Sequence, residues 1–198
     1  LGRRTGKSFM ITTESQALPT DSAIKREADP CIRPGIMRDA TDLYRLIAAN
    51  VEAGYLLPRQ LKEVTAHATR FFVSVAQDSI VGCGELAPLS RTVAEIRSLA
   101  VDEPYRGMGL GSGLVRALTQ RARVDGFKTL CAFTHDPSHF VRFGFSIVPH
   151  VWFPDKISTD CHACTWFRRC TQYAVLLRLD NLHESESPSE LFHSSSGP

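Results

Sequence analysis

Between residues 30 and 180 the apolar positions are dense and periodic, and on both sides they thin out. Leu43, Leu46, Ile47 and Val51 recur at three- and four-residue spacing, which predicts a helix over 39–51. A second helix is predicted over 58–69, with Pro58 in its first turn. A short first strand covers 31–33. Alternating character predicts strands at 71–76 and 80–86, joined by the Gln77-Asp78-Ser79 turn, and another strand at 94–101. After a glycine-rich stretch at 106–113, Leu114, Val115, Leu118 and Ala122 mark one face of a helix. A strand at 128–133, a short helix at 139–142 ending at Gly144, and a final strand at 172–179 complete the pattern. An early meander followed by a strand–loop–helix–strand unit predicts an α+β or mixed α/β domain over 30–180.

Residues 1–29 are expected to be a disordered leader. Residues 181–198, rich in Ser, Glu and Pro, are expected to be a disordered tail. Over all 198 residues, 23 Lys and Arg face 21 Asp and Glu, a net charge of +2 that gives no case for nucleic acid or an anionic membrane as partner. No apolar run approaches the ~20 residues a bilayer-spanning helix needs. Cys31, Cys83 and Cys131 stand singly in apolar stretches and are expected to be small buried hydrophobes. That usage fits a reducing, cytoplasmic compartment better than a disulfide scaffold.

The chemistry concentrates after the 94–101 strand. There the sequence reads Arg106-Gly-Met-Gly-Leu-Gly-Ser-Gly113 and runs straight into a helix. Glycines permit positive φ and close backbone approach to a ligand. The free N–H groups at the helix start favour an anion, and Arg106 adds positive charge, so the stretch suits a diphosphate. The spacing fails the dinucleotide Gly-x-Gly-x-x-Gly pattern, and the absence of Lys in 106–116 fails the P-loop. What remains, Arg-x-x-Gly-x-Gly after a strand ending Leu-Ala-Val, resembles the acetyl-coenzyme A loop of the GNAT N-acetyltransferase superfamily. That resemblance implies a central mixed, mostly antiparallel sheet flanked by helices. It also implies a cofactor-type site for acetyl-CoA built by Leu99, Ala100, Val101, Arg106, Gly107, Met108, Gly109, Leu110, Gly111 and Ser112, with Phe140 beside the thiol. The segment Phe140-Val-Arg-Phe-Gly-Phe145 matches the family's aromatic element except that it lacks the Tyr that often reprotonates the thiolate. Ser138 or His139 is the alternative proton or hydrogen-bond source, each equally readable as a helix cap or surface residue.

An amine must lose a proton before it attacks a thioester, and Glu95 stands where the superfamily often places its base. The alternative is a solvated strand residue. The backbone N–H near Leu99 is the candidate oxyanion donor. Leu56-Leu-Pro-Arg59, the Glu95–Val101 strand and the ending Pro154-Asp-Lys-Ile157 with Asp160-Cys161-x-x-Cys164 and Cys170 resemble short, stand-alone N-acetylglutamate synthases. This implies acetylation of the α-amino group of L-glutamate, the first step of arginine biosynthesis. The two carboxylates of glutamate call for cations, and Arg59, Arg97, Arg142 and Lys156 are the candidates. Arg97 leads, because it shares a strand face with Glu95. Cys161, Cys164 and Cys170 have partial metal-ligand spacing but no second paired set. No metal is therefore expected, with a structural zinc as the alternative. Another amine acceptor, or a non-catalytic acetyl-CoA-binding module, also stays open, as does a homodimer.

Overall fold

A computed structural model of the chain describes residues 30–179; the expected leader and tail lie outside the described residues. In chain order the elements are β1 (Cys31–Pro34), α1 (Ala40–Glu52), α2 (Leu61–His67), β2 (Phe71–Ala76), β3 (Ser79–Pro88) and β4 (Val93–Val101). They continue with α3 (Leu110–Val124), β5 (Thr129–Thr134), α4 (Ser138–Val141), β6 (Ser146–Val148) and β7 (Tyr173–Arg178). The strands form one sheet in the order β1-β2-β3-β4-β5-β7-β6. Only β4 and β5 run parallel; every other neighbouring pair is antiparallel. Gln77 and Asp78, both with left-handed backbone (φ 49 and 62), close the two-residue β2–β3 hairpin, as its twist requires.

Helices cover both faces. Val115, Leu118 and Ala122 of α3 pack on Ala94, Ile96, Leu130 and Ala132. On the other face Leu43, Leu46 and Ile47 of α1 pack with Val64 of α2 against Phe71, Val73, Cys83 and Ala100. Each of the larger aliphatic side chains so buried contributes about 1.5–3 kcal/mol. The expected mixed, mostly antiparallel sheet flanked by helices is therefore what the chain builds. No helix among the described residues is long and apolar enough to cross a membrane.

Several boundaries differ from expectation. The second helix begins at Leu61 rather than 58, because Gln60 is extended (φ −85, ψ 142) and Arg59 is tethered inward. The glycine stretch is shorter than expected as a loop, since α3 starts at Leu110 and takes Gly111 and Ser112 into its first turn. Cys31 is exposed on edge strand β1 instead of buried, whereas Cys83 and Cys131 are buried. β6 and the short helical turns across 150–161 lay below the length at which a sequence pattern registers.

Two departures from regular pairing make the site. The β4–β5 ladder stops at Ile96↔Ala132, so Arg97 to Val101 have no partner on the β5 side and the sheet splits there. On the β3 side Ser98 and Leu99 together oppose Gly84, a bulge in which Ser98 takes a left-handed φ of 48. Gly84 fits closely there: a Cβ would lie 2.8 Å from the end of the Leu118 side chain, which would have to shift. The bulge reverses the alternation of β4. Ile96 packs on the α3 face, and beyond the extra residue Leu99 joins that face while Ala100 turns to α1.

Candidate active site

The split between β4 and β5 opens a cleft of about 1030 Å³. One wall is the unpaired half of β4; the other is the end of β5 with Thr134, His135 and Asp136. The α1–α2 connection from Tyr55 to Arg59 and the 150–170 segment complete the lining.

The donor end is built of backbone. Gly107 and Gly109 have φ of 78 and 81, a region that L side chains rarely adopt, and Gly109 caps α3. The first-turn N–H groups of α3 thus sit beside the end of β4 with no side chain in front of Gly107 or Gly109. Arg106 is anchored to the scaffold: its Nε donates to Val101 O at 3.0 Å and its Nη2 to Asn50 Oδ1 at 3.2 Å. Its guanidinium lies 4.7 Å from the Tyr55 ring centroid. Leu99, Ala100, Val101, Arg106 and Phe140 line the cleft. Gly107, Met108 and Gly109 form the turn into α3 and Gly111 and Ser112 lie in its first helical turn, none of them lining the cleft, and Leu110 points into a core cluster with Ala76 and Val81.

The acceptor end is built of ion pairs. Glu95 is only 3% exposed. Its Oε2 accepts from Arg97 Nε at 2.7 Å, and Lys156 Nζ reaches both of its oxygens at 2.8 Å. Asp160 Oδ2 accepts from Lys156 at 2.8 Å and from Arg97 Nη2. Burial works against the Arg97 charge, but Glu95 and Asp160 outweigh it and hold the guanidinium charged. Burial likewise raises the Asp160 carboxyl, and the hydrogen bond and charge of Lys156, with Arg97 behind them, bring it below the usual carboxylate value. Lys156 Nζ also sits 5.2 Å over the Phe133 ring.

A second network lies alongside. Arg59 donates to Glu85 Oε2 at 2.6 Å, to Glu63 Oε1 at 2.6 Å and to Ser98 Oγ at 3.0 Å. Glu85 is 0% exposed. His67 Nδ1 stands 3.2 Å from Glu85 Oε1, an ion pair once the imidazole is protonated.

Of the expected site residues, the fold therefore brings together Glu95, Arg97, Lys156 and Arg59 at one end and the β4 backbone with Arg106 at the other. Ser138 and Arg142 are not brought to this cleft. Both are exposed and neither lines the cleft, because α4 turns them outward. His139 lines it instead. Burial, helped by Arg142, lowers its imidazole below the ordinary value and keeps it neutral at pH 7. Arg142 Nη2 lies 3.3 Å from Nδ1; an arginine only donates, so the ring proton is assigned to Nε2. Cys161, Cys164 and Cys170 line the acceptor end. Among the described residues, no group of three or more Cys, His, Asp or Glu is arranged to hold a metal ion.

Glu85, Glu63 and Ser98 were missed, and Asp160 figured only within the Cys-bearing ending, with no role of its own. Glu85 had a signal: a lone carboxylate inside the apolar run of β3 must find a buried cation. Asp160 had none.

A model of the acetyltransferase (GNAT) family matches residues 37–145. An uncharacterized N-acetyltransferase of Chlorobaculum tepidum is 30% identical over 152 residues, covering 77% of this chain and 98% of that protein. An amino-acid acetyltransferase of Pseudomonas syringae is 30% identical over 120 residues, 60% of this chain; the match spans only 28% of that longer protein. A solved Mycobacterium tuberculosis protein in complex with CoA superposes with a TM-score of 0.65 at 25% identity, over 76% of this chain and 99% of that one. N-acetylglutamate synthase of Neisseria gonorrhoeae, solved with coenzyme A and N-acetyl-glutamate, shares the fold: TM-score 0.68, 24% identity, 78% of this chain and 36% of that one. With its split sheet, bulged β4 and glycine turn ahead of α3, the chain belongs to the GNAT acetyltransferase family and is one of its N-acetyltransferases.

Proposed function

We propose that the protein moves the acetyl group of acetyl-CoA to the α-amino group of L-glutamate. The observation that carries the reading is the pairing of Arg97 and Lys156 in the cleft, beside Glu95 and next to the open edge of β4. A dicarboxylate acceptor needs cationic contacts, and Arg97 and Lys156 are the cations this end has to offer. The Pseudomonas and Neisseria relatives, named for amino-acid and glutamate acetylation, point the same way.

In this reading the donor end holds the diphosphate of acetyl-CoA on the α3 N-terminus, Arg106 and the Gly107–Gly109 turn. The carboxylate of Glu95 has about four acceptor sites and three donors already on it. The last one takes the acceptor ammonium, directly or through water, and removes its proton. The amine nitrogen then bonds to the thioester carbonyl carbon, and the unpaired backbone N–H near Leu99 meets the oxyanion. Collapse breaks the C–S bond. His139, whose ring lines this part of the cleft, stands near the departing thiolate in this reading, and a proton lost from the amine completes the free thiol. All six cysteines are free, which suits a reducing cytoplasm.

Coenzyme A release, followed with a thiol-reactive dye over a panel of amino acids and polyamines, tests the assignment. L-glutamate is expected to give the highest kcat/KM. Turnover with cationic amines alone would overturn the acceptor and leave the reaction class standing.

A further inference from the structure

The acceptor end is electrically complete before any acceptor arrives. Arg97 and Lys156 carry two positive charges, and Glu95 and Asp160 carry two negative ones. The two carboxylates are not equivalent. Glu95 lies beneath the cations with its side chain 4% exposed, whereas the Asp160 side chain is 36% exposed and caps them. Oδ2 of Asp160 takes a donor from each cation, the contact that a carboxylate of an acidic acceptor needs. Asp160 is carried by the short helical turn Ile157–Cys161, in a segment largely exposed to solvent, and not by the sheet.

We infer that Asp160 is a resident stand-in for the acceptor carboxylate, a specificity-determining residue that an acidic acceptor displaces from Arg97 and Lys156. It rests on the reading that this end of the cleft takes an anionic acceptor. Exchanging one carboxylate for another keeps both cations paired, so an acidic acceptor enters at little electrostatic cost. A neutral acceptor that pushes Asp160 aside leaves two partly buried cations underneutralised, and a cationic one adds to them. The latch thus rejects acceptors that lack a carboxylate and weakens binding of those that have one.

The test is equilibrium binding of glutarate, a non-reacting dicarboxylate, to the full chain by calorimetry, beside steady-state kinetics with L-glutamate. Asp160→Asn removes the competing charge and keeps the size. It is expected to tighten glutarate and lower the KM for glutamate by about tenfold, the worth of a charged hydrogen bond, with the KM for acetyl-CoA unchanged. Asp160→Glu restores a carboxylate and is expected to bind glutarate as weakly as the parent, which separates competition from mere loss of packing. Equal or weaker glutarate binding by Asp160→Asn overturns the inference and makes Asp160 a positioning residue or a ligand for the substrate ammonium. Tightening by both variants alike overturns it too. Because glutarate binding needs no turnover, a parent protein that ignores glutamate but shows this pattern sinks the substrate reading alone.

Discussion

The two ends of the cleft are made from different materials. The donor end is glycine turn, helix N-terminus and unpaired strand, with Arg106 anchored beside them; the acceptor end is two ion-pair networks. Backbone recognises what all acyl-CoA thioesters share, and it tolerates side-chain drift around it. Side-chain charges recognise what one acceptor has and another lacks. Substitutions at the two ends should therefore fail in different parameters.

The largest separation is expected at Glu95. Replacing it with Gln removes the proton acceptor and leaves Arg97 and Lys156 with surplus charge. The kcat is expected to fall about 10³-fold, the middle of the usual range for a general base, while the acetyl-CoA dissociation constant changes less than twofold. Rapid-quench turnover beside equilibrium titration decides it; a kcat that survives moves the base to another residue.

Next is the stability of the acceptor end itself. Arg59→Met strands Glu85, wholly inaccessible to solvent, without its cation. Removing one partner of a buried pair costs about 3 kcal/mol or more, read as a lower urea midpoint. The double substitution with Glu85→Gln should recover most of the loss, since both charges then leave together. If the single variant is as stable as the parent, the network is not holding β3, β4 and the chain before α2 together.

This contrast also explains what could be read from the chain beforehand. The donor end was legible because its parts are adjacent: a strand, a glycine turn and a helix within residues 94–124. The acceptor end joins residues far apart. Arg59 meets Glu85 across 26 positions, Lys156 meets Glu95 across 61, and Arg97 meets Asp160 across 63. Residue type suggested Arg59, Arg97 and Lys156 as cations, but no local pattern states that each already has carboxylate partners. Ser138 was chosen as a hydroxyl just upstream of Phe140 and Arg142 as a cation in a segment bordering the acceptor side, and a four-residue helix offers too little periodicity to say which side faces the cleft. The β4 bulge hid for the same reason: one extra residue inverts the alternation that a strand pattern relies on.

A smaller effect should appear at the donor end alone. Gly109→Ala meets no atom within 4 Å, so its cost is backbone strain at φ 81 and not a clash. Strain of about 1–2 kcal/mol can be relieved by shifting the turn and the first N–H groups of α3. The KM for acetyl-CoA is expected to rise about tenfold, with the acceptor KM within twofold. A rise in the acceptor KM of the same size would mean the two ends are not independent.

The smallest effect is a reference remote from both ends. Asp39, ahead of α1, accepts from Arg33 of β1 at 2.7 and 3.0 Å and from the Ile36 N–H at 2.9 Å. The Arg33 hydrogen bond outweighs burial and, with Ile36, holds the Asp39 carboxyl below its ordinary value of 3.8. A carboxyl depressed in the folded state stabilises the fold above its unfolded value, and that contribution disappears as pH falls through the folded value. Asp39→Asn keeps an oxygen for Ile36 and loses the charge, and Arg33 is a third exposed, so the cost is about 1 kcal/mol at neutral pH. The gap between parent and variant melting temperatures should stay constant from pH 7 to about 4 and close below that. Both KM values should be untouched, because neither residue lines the cleft. If the gap instead opens toward low pH, the ion pair is not what Asp39 contributes, and its hold on Ile36 is.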